Sequence, residues 1–348
     1  MRSILVHADS DAASEGRLQV ALDCARRFEG HVSLLIATPL REFVSFDPFG
    51  GTYFAAEALA KAQADDLALE SRLADRLAKE DVPWDIEMAD GEIVSALSGA
   101  ATLADLAIVS LPKAKGDFRS GPPMLAGDLA LTASVPVLAL PQDSKALDFD
   151  KPALIAWNGS PEAAHAVRAA VPFLKDRPVV IVTIGGDEGD FAAEDAARYL
   201  SRHGIHAELR AIERGAETPE ERIEKEAGAL DAGLIVMGAF GRSRLRETIF
   251  GGATQYLVTG GRYPLLLAHE AGKTGLDDGE RPKPATSTRV IPDQVRDDAG
   301  QCPLLDPQGS GTPSAADRSA SACSPLVTLI ACMPSPAAGL QLMPRSSR

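Results

Sequence analysis

The amino-acid sequence predicts an α/β protein made of two similar domains in tandem, each with a five-stranded parallel sheet and helices on both faces. Short apolar runs alternate with longer segments of helical periodicity, in the order β-α-β-α-β-α-β-α-β. That order occurs twice. LAIVS (106–110) aligns with LIVMG (234–238), and VPVLAL (135–140) aligns with YPLLLA (263–268), both at an offset of 128 residues (234 minus 106, and 263 minus 135). A repeat of this length indicates duplicated domains.

The first domain is predicted to span residues 1–142. Its segment 39–53 is predicted to be a loop rich in aromatic residues, and it is either a flap on the protein's own surface or a lid over a ligand. The expected strands are Ser3–Ala8, His31–Thr38, Pro83–Met88, Leu106–Ser110 and Val135–Leu140. The expected helices are Ala13–Phe28, Ala55–Lys79, Ile93–Ala104 and Gly127–Ala133.

The second domain is predicted to span residues 151–270, after a short polar linker. The expected strands are Ala153–Trp157, Val179–Thr183, Ala207–Ile212, Leu234–Met237 and Pro264–Ala268. The expected helices are Pro161–Leu174, Phe191–His203, Pro219–Ala229 and Ala253–Thr259.

Residues 271–348 differ in composition from both domains. They hold ten of the 24 prolines, with many Ser, Gly and Asp residues and little periodicity. Such a segment cannot bury enough apolar surface to fold, so we predict a disordered tail without a part in the function.

Composition argues against several classes of partner. The formal net charge is −14 and the pI is about 4.9, which disfavours nucleic acid and anionic membrane as partners. No apolar run reaches the roughly 18 residues of a membrane span, and the first segment is too short for a secretory signal. Cys24 is the single cysteine of the two domains and is expected to be buried. We therefore expect a cytoplasmic protein.

Glycines follow the fourth strand of the second domain. Gly238 and Gly241 come directly after the apolar run 234–237, and Gly251 and Gly252 precede a predicted helix that contains Thr254. Glycines at a strand exit let the backbone approach a ligand, and the free amides of a helix N-terminus bind phosphate. Tight turns and close helix packing are the alternative explanation of the same glycines.

The first domain lacks this glycine pattern. At the offset of 128 residues, Ser110, Lys113, Pro123 and Met124 take the positions of the four glycines. Proline has no amide hydrogen to donate. We expect this domain to bind no nucleotide and to serve pairing and stability.

The pattern Gly238-x2-Gly241-x9-Gly251 resembles the nucleotide-binding signature of the universal stress protein family. Asp9 and Asn158 at the exits of the first strands, and the terminal Val-Pro-Val and Tyr-Pro-Leu strands, agree with this resemblance over about residues 1–270. It implies two flavodoxin-like (adenine nucleotide alpha hydrolase-like) domains with the strand order 3-2-1-4-5. It also implies that their last strands, Val135–Leu140 and Pro264–Ala268, pair with each other within the chain, which covers edges that would otherwise be exposed. It also implies that the second domain binds ATP or a related adenine nucleotide, with Mg²⁺. The site residues it implies are Asn158, Gly238, Gly241, Arg242, Gly251, Gly252 and Thr254.

Two residues depart from the family pattern. Asn158 stands where the family has Asp, and Gly252 stands where it usually has Ser or Thr. Asn158 can still donate and accept hydrogen bonds but carries no charge. The sequence thus leaves a second hypothesis, an interaction module that binds no nucleotide and acts through its paired domains.

The sequence nominates no catalytic residue and no metal ligand. It contains no GxSxG, GxxxxGK[ST] or GxGxxG motif. His203 and His206 are expected at a helix end and His7 in the core of the first domain. We therefore predict a stress-response sensor or switch that can form a homodimer, with slow ATP hydrolysis as a third hypothesis.

Overall fold

The structure, a computed structural model, describes residues 1–46, 52–112, 125–186, 191–239, 252–269 and 287–290. Strands and helices alternate in the first half of the chain. The strands are β1 (Ser3–Ala8), β2 (His31–Thr38), β3 (Val44–Phe46), β4 (Thr52–Phe54), β5 (Trp84–Asp90), β6 (Leu106–Ser110) and β7 (Val137–Leu140). The helices are α1 (Ser14–Phe28), α2 (Ala56–Leu77), α3 (Ile93–Ala100) and α4 (Leu125–Thr132).

The second half repeats this alternation. Its strands are β8 (Ala153–Ala156), β9 (Val179–Ile184), β10 (Ala207–Ile212), β11 (Leu234–Gly238) and β12 (Leu265–Ala268). Its helices are α5 (Pro161–Leu174), α6 (Ala193–Arg202), α7 (Pro219–Ala229) and α8 (Gly252–Gly260). A further strand, β13 (Ser287–Val290), follows.

All the strands except β3 and β4 form one 11-stranded sheet, in the order β10-β9-β8-β11-β12-β7-β6-β1-β2-β5-β13. Within each half the first five long strands are parallel and have the predicted order 3-2-1-4-5. The halves meet where β7 and β12 pair antiparallel, with Leu266 opposite Leu138. The α/β fold class predicted from the sequence is confirmed.

The strand registers give the offset between the first strands of the two halves. Ile4 of β1 lies beside Leu106 of β6, and Ala153 of β8 lies beside Leu234 of β11. Ala153 therefore corresponds to Ile4 at an offset of 149 residues (153 minus 4). At this offset Asn158 takes the place of Asp9.

Capping side chains fix the starts of helices in the second half. Ser160 precedes α5, and its hydroxyl accepts a hydrogen bond from the Ala163 amide at 3.1 Å. Pro161 then occupies the first helical position, where its missing amide hydrogen costs nothing. Thr218 and Glu221 form a reciprocal capping box at the start of α7.

Two apolar cores lie on opposite faces of the sheet, and each contains residues of both halves. An aromatic cluster of Phe28, Phe149 and Phe173 joins the ends of α1 and α5 to the linker, with ring centroids 5.2–6.3 Å apart. The guanidinium of Arg27 lies 4.8 Å from the centre of the Phe149 ring. The linker is thus packed between the halves.

Two segments differ from the sequence prediction. In the predicted loop 39–53, β3 and β4 form an antiparallel hairpin, with Ser45 opposite Tyr53. In the tail predicted to be disordered, β13 pairs antiparallel with β5. The physical reason is the open edge of β5, whose main-chain groups give a short strand a partner that composition does not reveal. Within the described part of the chain, no helix is both long and apolar enough to cross a membrane.

Candidate functional site

The structure brings four of the seven predicted site residues to the carboxyl ends of the parallel strands. Asn158 follows β8, Gly238 ends β11, and Gly252 and Thr254 lie in the first turn of α8. The strands of this half are parallel, so their carboxyl ends lie together, next to the starts of α5 and α8. The other three, Gly241, Arg242 and Gly251, lie outside the described residues.

Gly238 lies against the first turn of α5. A Cβ atom at this position would meet the Ala163 nitrogen and the Glu162 carbonyl carbon, each at 2.6 Å. No side chain fits in that space. Helix packing therefore explains Gly238 without any ligand, as the alternative explanation of the glycines requires.

Asn158 is exposed at the exit of β8. Its Oδ1 accepts a hydrogen bond from the Ser160 amide at 3.2 Å, which leaves its amide group able to donate. The segment before α6 crosses this exit, since the Phe191 amide donates to the Gly159 carbonyl and the Trp157 indole donates to the Phe191 carbonyl. The residues on both sides of Asn158 are thus held in place, and its side chain is exposed at the crevice between the carboxyl ends of β8 and β11.

Thr254 is buried in the first turn of α8, the helix whose first amides the sequence analysis assigned to phosphate. The backbone of Gly252 begins this helix. These first amides have no partner within the helix and favour an anion in front of them.

Sequence reasoning missed Glu162, a buried carboxylate in the first turn of α5. Its side chain is 3% exposed, and in the described part of the chain its Oε2 atom has no hydrogen-bond partner. A buried acceptor without a donor costs about 1–3 kcal/mol, so a group that donates to it would stabilise the site. Only the three-dimensional contact with Gly238 reveals this carboxylate.

The corresponding crevice of the first half holds an arginine, which sequence reasoning also missed. The Arg17 side chain is 2% exposed. Its Nε donates to the His7 carbonyl at 2.9 Å, its Nη1 to the Ser110 hydroxyl at 2.7 Å, and its Nη2 to the Asp9 carboxylate at 2.5 Å. One guanidinium thus bridges the carboxyl ends of β1 and β6, where a ligand would enter.

Burial and charge around Arg17 also act on His7. The His7 Nδ1 atom lies 3.4 Å from the Asp9 carboxylate. The pKa of His7 is lowered to about 4, chiefly by burial; the Asp9 carboxylate opposes this shift and the Arg17 guanidinium adds to it. His7 is therefore a neutral histidine in the core, as predicted.

The second half has no counterpart of Arg17. At the offset of 149 residues, Ala166 takes the place of Arg17 (166 minus 17), and Gly238 takes the place of Ser110 at the offset of 128. Ala166 is buried on the same face of its helix as Arg17 is on α1. Among the described residues, the second-half crevice therefore has no cation in the position that Arg17 takes in the first.

A groove of about 450 Å³ lies elsewhere, between α7 and α8, and is lined by Glu224, Tyr256, Gly260 and Arg262. The Tyr256 hydroxyl donates to Glu224 at 2.9 Å, and Arg262 lies 3.3 Å from the same carboxylate. The groove is at the opposite end of α8 from Gly252. It contains none of the predicted site residues.

Other chemistry-bearing residues have structural positions. Cys24 is buried, which raises the pKa of its thiol, and this agrees with the predicted packing role. His203 caps the C-terminal end of α6, as expected, and its ring packs at a tilt against that of Tyr199, with the ring centroids 4.7 Å apart. Among the residues that the structure describes, no group of three or more His, Cys, Asp or Glu side chains could hold a metal ion.

Comparison with known proteins gives a match to the second half and to the fold. The family model described as Universal stress protein family matches residues 151–269. The solved structure of a universal stress protein from Archaeoglobus fulgidus DSM 4304 aligns with 77% of this chain and 96% of its own, at 16% identity and a TM-score of 0.62. A structure from Pseudomonas aeruginosa UCBPP-PA14 aligns with 77% and 93%, at 17% identity and a TM-score of 0.50.

A third solved structure is a universal stress protein in complex with cAMP. It covers 36% of this chain and 100% of its own, at 17% identity and a TM-score of 0.28. No curated protein matches the chain by sequence. At these identities, the first two structures establish the fold and leave the function to the site. Residues 151–269 thus match the universal stress protein family, and both halves of the chain share the fold of the solved universal stress proteins.

Proposed function

We propose that the second half binds ATP or a related adenine nucleotide at the carboxyl ends of β8 and β11. In this proposal the protein is a cytoplasmic stress sensor or switch. Nucleotide binding, and not fast catalysis, changes its state. The observation that carries this proposal is the difference between the two crevices. Arg17 closes the first from within, whereas in the second the equivalent positions hold Ala166 and Gly238, which supply no cation. The match of residues 151–269 to the family supports the same half.

The described residues fit a nucleotide in part. The first turn of α8 suits a phosphate, because its free amides and the helix dipole favour negative charge. The exposed amide of Asn158 suits a hydrogen-bond acceptor of the base or ribose. Glu162 would repel a phosphate, so its carboxylate suits the donor groups of the ligand or the Mg²⁺ that accompanies it.

Calorimetric titration of the full chain with ATP and Mg²⁺ tests this proposal. We expect one nucleotide per chain, weaker binding in Thr254→Val and Gly251→Val, and unchanged binding in the exposed-surface control Arg72→Ala. Thr254→Val keeps the shape of the side chain and removes only its hydroxyl, so a change in affinity reports on that group. No heat and no thermal stabilisation at about millimolar ATP would refute nucleotide binding.

One observation favours the second hypothesis, an interaction module without a nucleotide. Gly238 is required by the close approach of α5, so this glycine does not by itself indicate a ligand. If the titration gives no binding, the paired sheet and its surfaces become the functional part of the protein. ATP turnover that survives Gly251→Val would in turn indicate a contaminating enzyme.

A further inference from the structure

The two ends of the 11-stranded sheet differ. At one end β13 covers β5, with Ser287 opposite Ala89 and Val290 opposite Ile86. At the other end β10 pairs with β9 alone among the described strands. The two edge strands β5 and β10 are equivalent in the two halves, and among the described strands only the edge of β5 is covered by a further strand.

One hydrogen bond shows which residues of β10 face the open edge. The Gly185 amide donates to the Ile212 carbonyl at 2.9 Å, so the main-chain groups of Ile212 point toward β9. The direction of the main-chain amide and carbonyl groups alternates from residue to residue along a strand. These groups of Glu208 and Arg210 therefore also point toward β9. The amide and carbonyl groups of the remaining three residues point outward; these residues are Ala207, Leu209 and Ala211.

The sequence of β10 is complementary to itself about Leu209. In an antiparallel pair of two copies centred there, Leu209 faces Leu209, Glu208 faces Arg210, and Ala207 faces Ala211. Apolar residues meet, small residues meet, and opposite charges meet, in addition to the ion pairs of Arg210 with Glu208 and Glu226 of its own chain. The main-chain groups of Leu209 point outward, so Leu209 and its copy would exchange both hydrogen bonds across the two-fold axis.

The side chains of β10 are exposed to the extent expected of an edge strand that no other described strand covers. Leu209 is 41% exposed, one of four large apolar side chains that the described part of the chain exposes. Glu208 and Ala211 are also exposed, and β10 contains no proline to block a further strand. The strand therefore presents both the hydrogen-bonding groups and the side chains of a pairing edge.

We propose that β10 is an interface between two copies of this chain, which pair antiparallel about Leu209 and join their sheets. The occupant is a second copy because the charge pattern Glu208-Leu209-Arg210 is matched by its own reverse. This interface is distinct from the β7–β12 contact within the chain and does not depend on nucleotide binding. It is short, so the dimer is a concentration-dependent one.

Sedimentation velocity of the full chain over about a hundredfold range of concentration tests the interface. We expect a monomer–dimer equilibrium whose dissociation constant rises at least tenfold in Glu208→Arg, which places like charges opposite each other. Leu209→Pro removes an outward amide and is expected to give a monomer. Leu67→Lys, a change at another exposed leucine, should leave the equilibrium unchanged. A wild-type monomer at every concentration, or a dimer unaffected by both β10 changes, overturns the proposal.

Cysteine cross-linking tests the register and remains informative if Leu209→Pro fails to fold. In a background with the tail cysteines Cys302, Cys323 and Cys332 changed to Ser, Leu209→Cys should cross-link to itself with a short thiol reagent. Ala207→Cys should cross-link only when mixed with Ala211→Cys, because two copies of position 207 lie about 13 Å apart in this register. Leu103→Cys serves as an exposed control. Equal cross-linking by Ala207→Cys alone, or none by Leu209→Cys, overturns the register.

Discussion

Replacing Arg17 by Ala tests the claim that this side chain closes the first-half crevice. The change removes hydrogen bonds to His7, Asp9 and Ser110 and leaves the Asp9 carboxylate without its cation. Breaking a buried ion pair costs about 3–5 kcal/mol when the remaining charge stays buried. The Asp9 side chain is 34% exposed, so water partly replaces the lost partner. We therefore expect a loss of about 2–4 kcal/mol in the free energy of unfolding.

Urea unfolding followed by circular dichroism measures this loss. With a slope of about 3 kcal/mol per molar urea, the midpoint of unfolding should fall by roughly 1 M. Arg17→Lys keeps the charge but loses the forked geometry and should fall less. Arg168→Ala, at an exposed arginine of α5, should change stability by no more than about 0.5 kcal/mol. An Arg17→Ala midpoint equal to that of Arg168→Ala would refute the reasoning.

Three further predictions concern packing and pH. Gly238→Ala should lower stability by about 1–3 kcal/mol through overpacking against α5, whereas Gly99→Ala, which meets nothing within 4 Å, should not; urea midpoints compare the two. The pKa of His7 is lowered on folding, so the unfolded state binds more protons and stability should fall as pH drops from about 6.5 to about 4. His7→Asn should flatten this pH dependence, and an unchanged slope would contradict it. Phe149→Ala should cost about 2–4 kcal/mol by opening the aromatic cluster between the halves; a calorimetric scan that shows no loss would contradict that contact.

The fold was predictable because apolar periodicity and strand spacing are properties of the chain itself. Runs such as LAIVS and LIVMG gave the positions of β6 and β11, and the parallel order followed from the alternation of strands and helices. The hairpin of β3 and β4 and the strand β13 escaped prediction because short strands depend on a partner edge rather than on periodicity.

The candidate site was predictable only in part. Glycine spacing located Gly238 at the strand exit, but its contact with Ala163 depends on the distance between α5 and β11. Arg17 stood unnoticed within a helical pattern, since an arginine at that spacing is ordinarily on the solvent face. One signal was present, because Arg17 falls on the buried stripe of α1 beside Leu18 and Ala21.

Hydrogen exchange of the full chain with and without ATP and Mg²⁺ is the most direct test of the central claim, that one half binds nucleotide and the other is closed from within. We expect ATP to slow exchange in residues 158–163 and in the first turn of α8, and to leave residues 7–17 and 106–112 of the first half unchanged. Equal protection of both halves, or protection of the first half alone, would contradict the account.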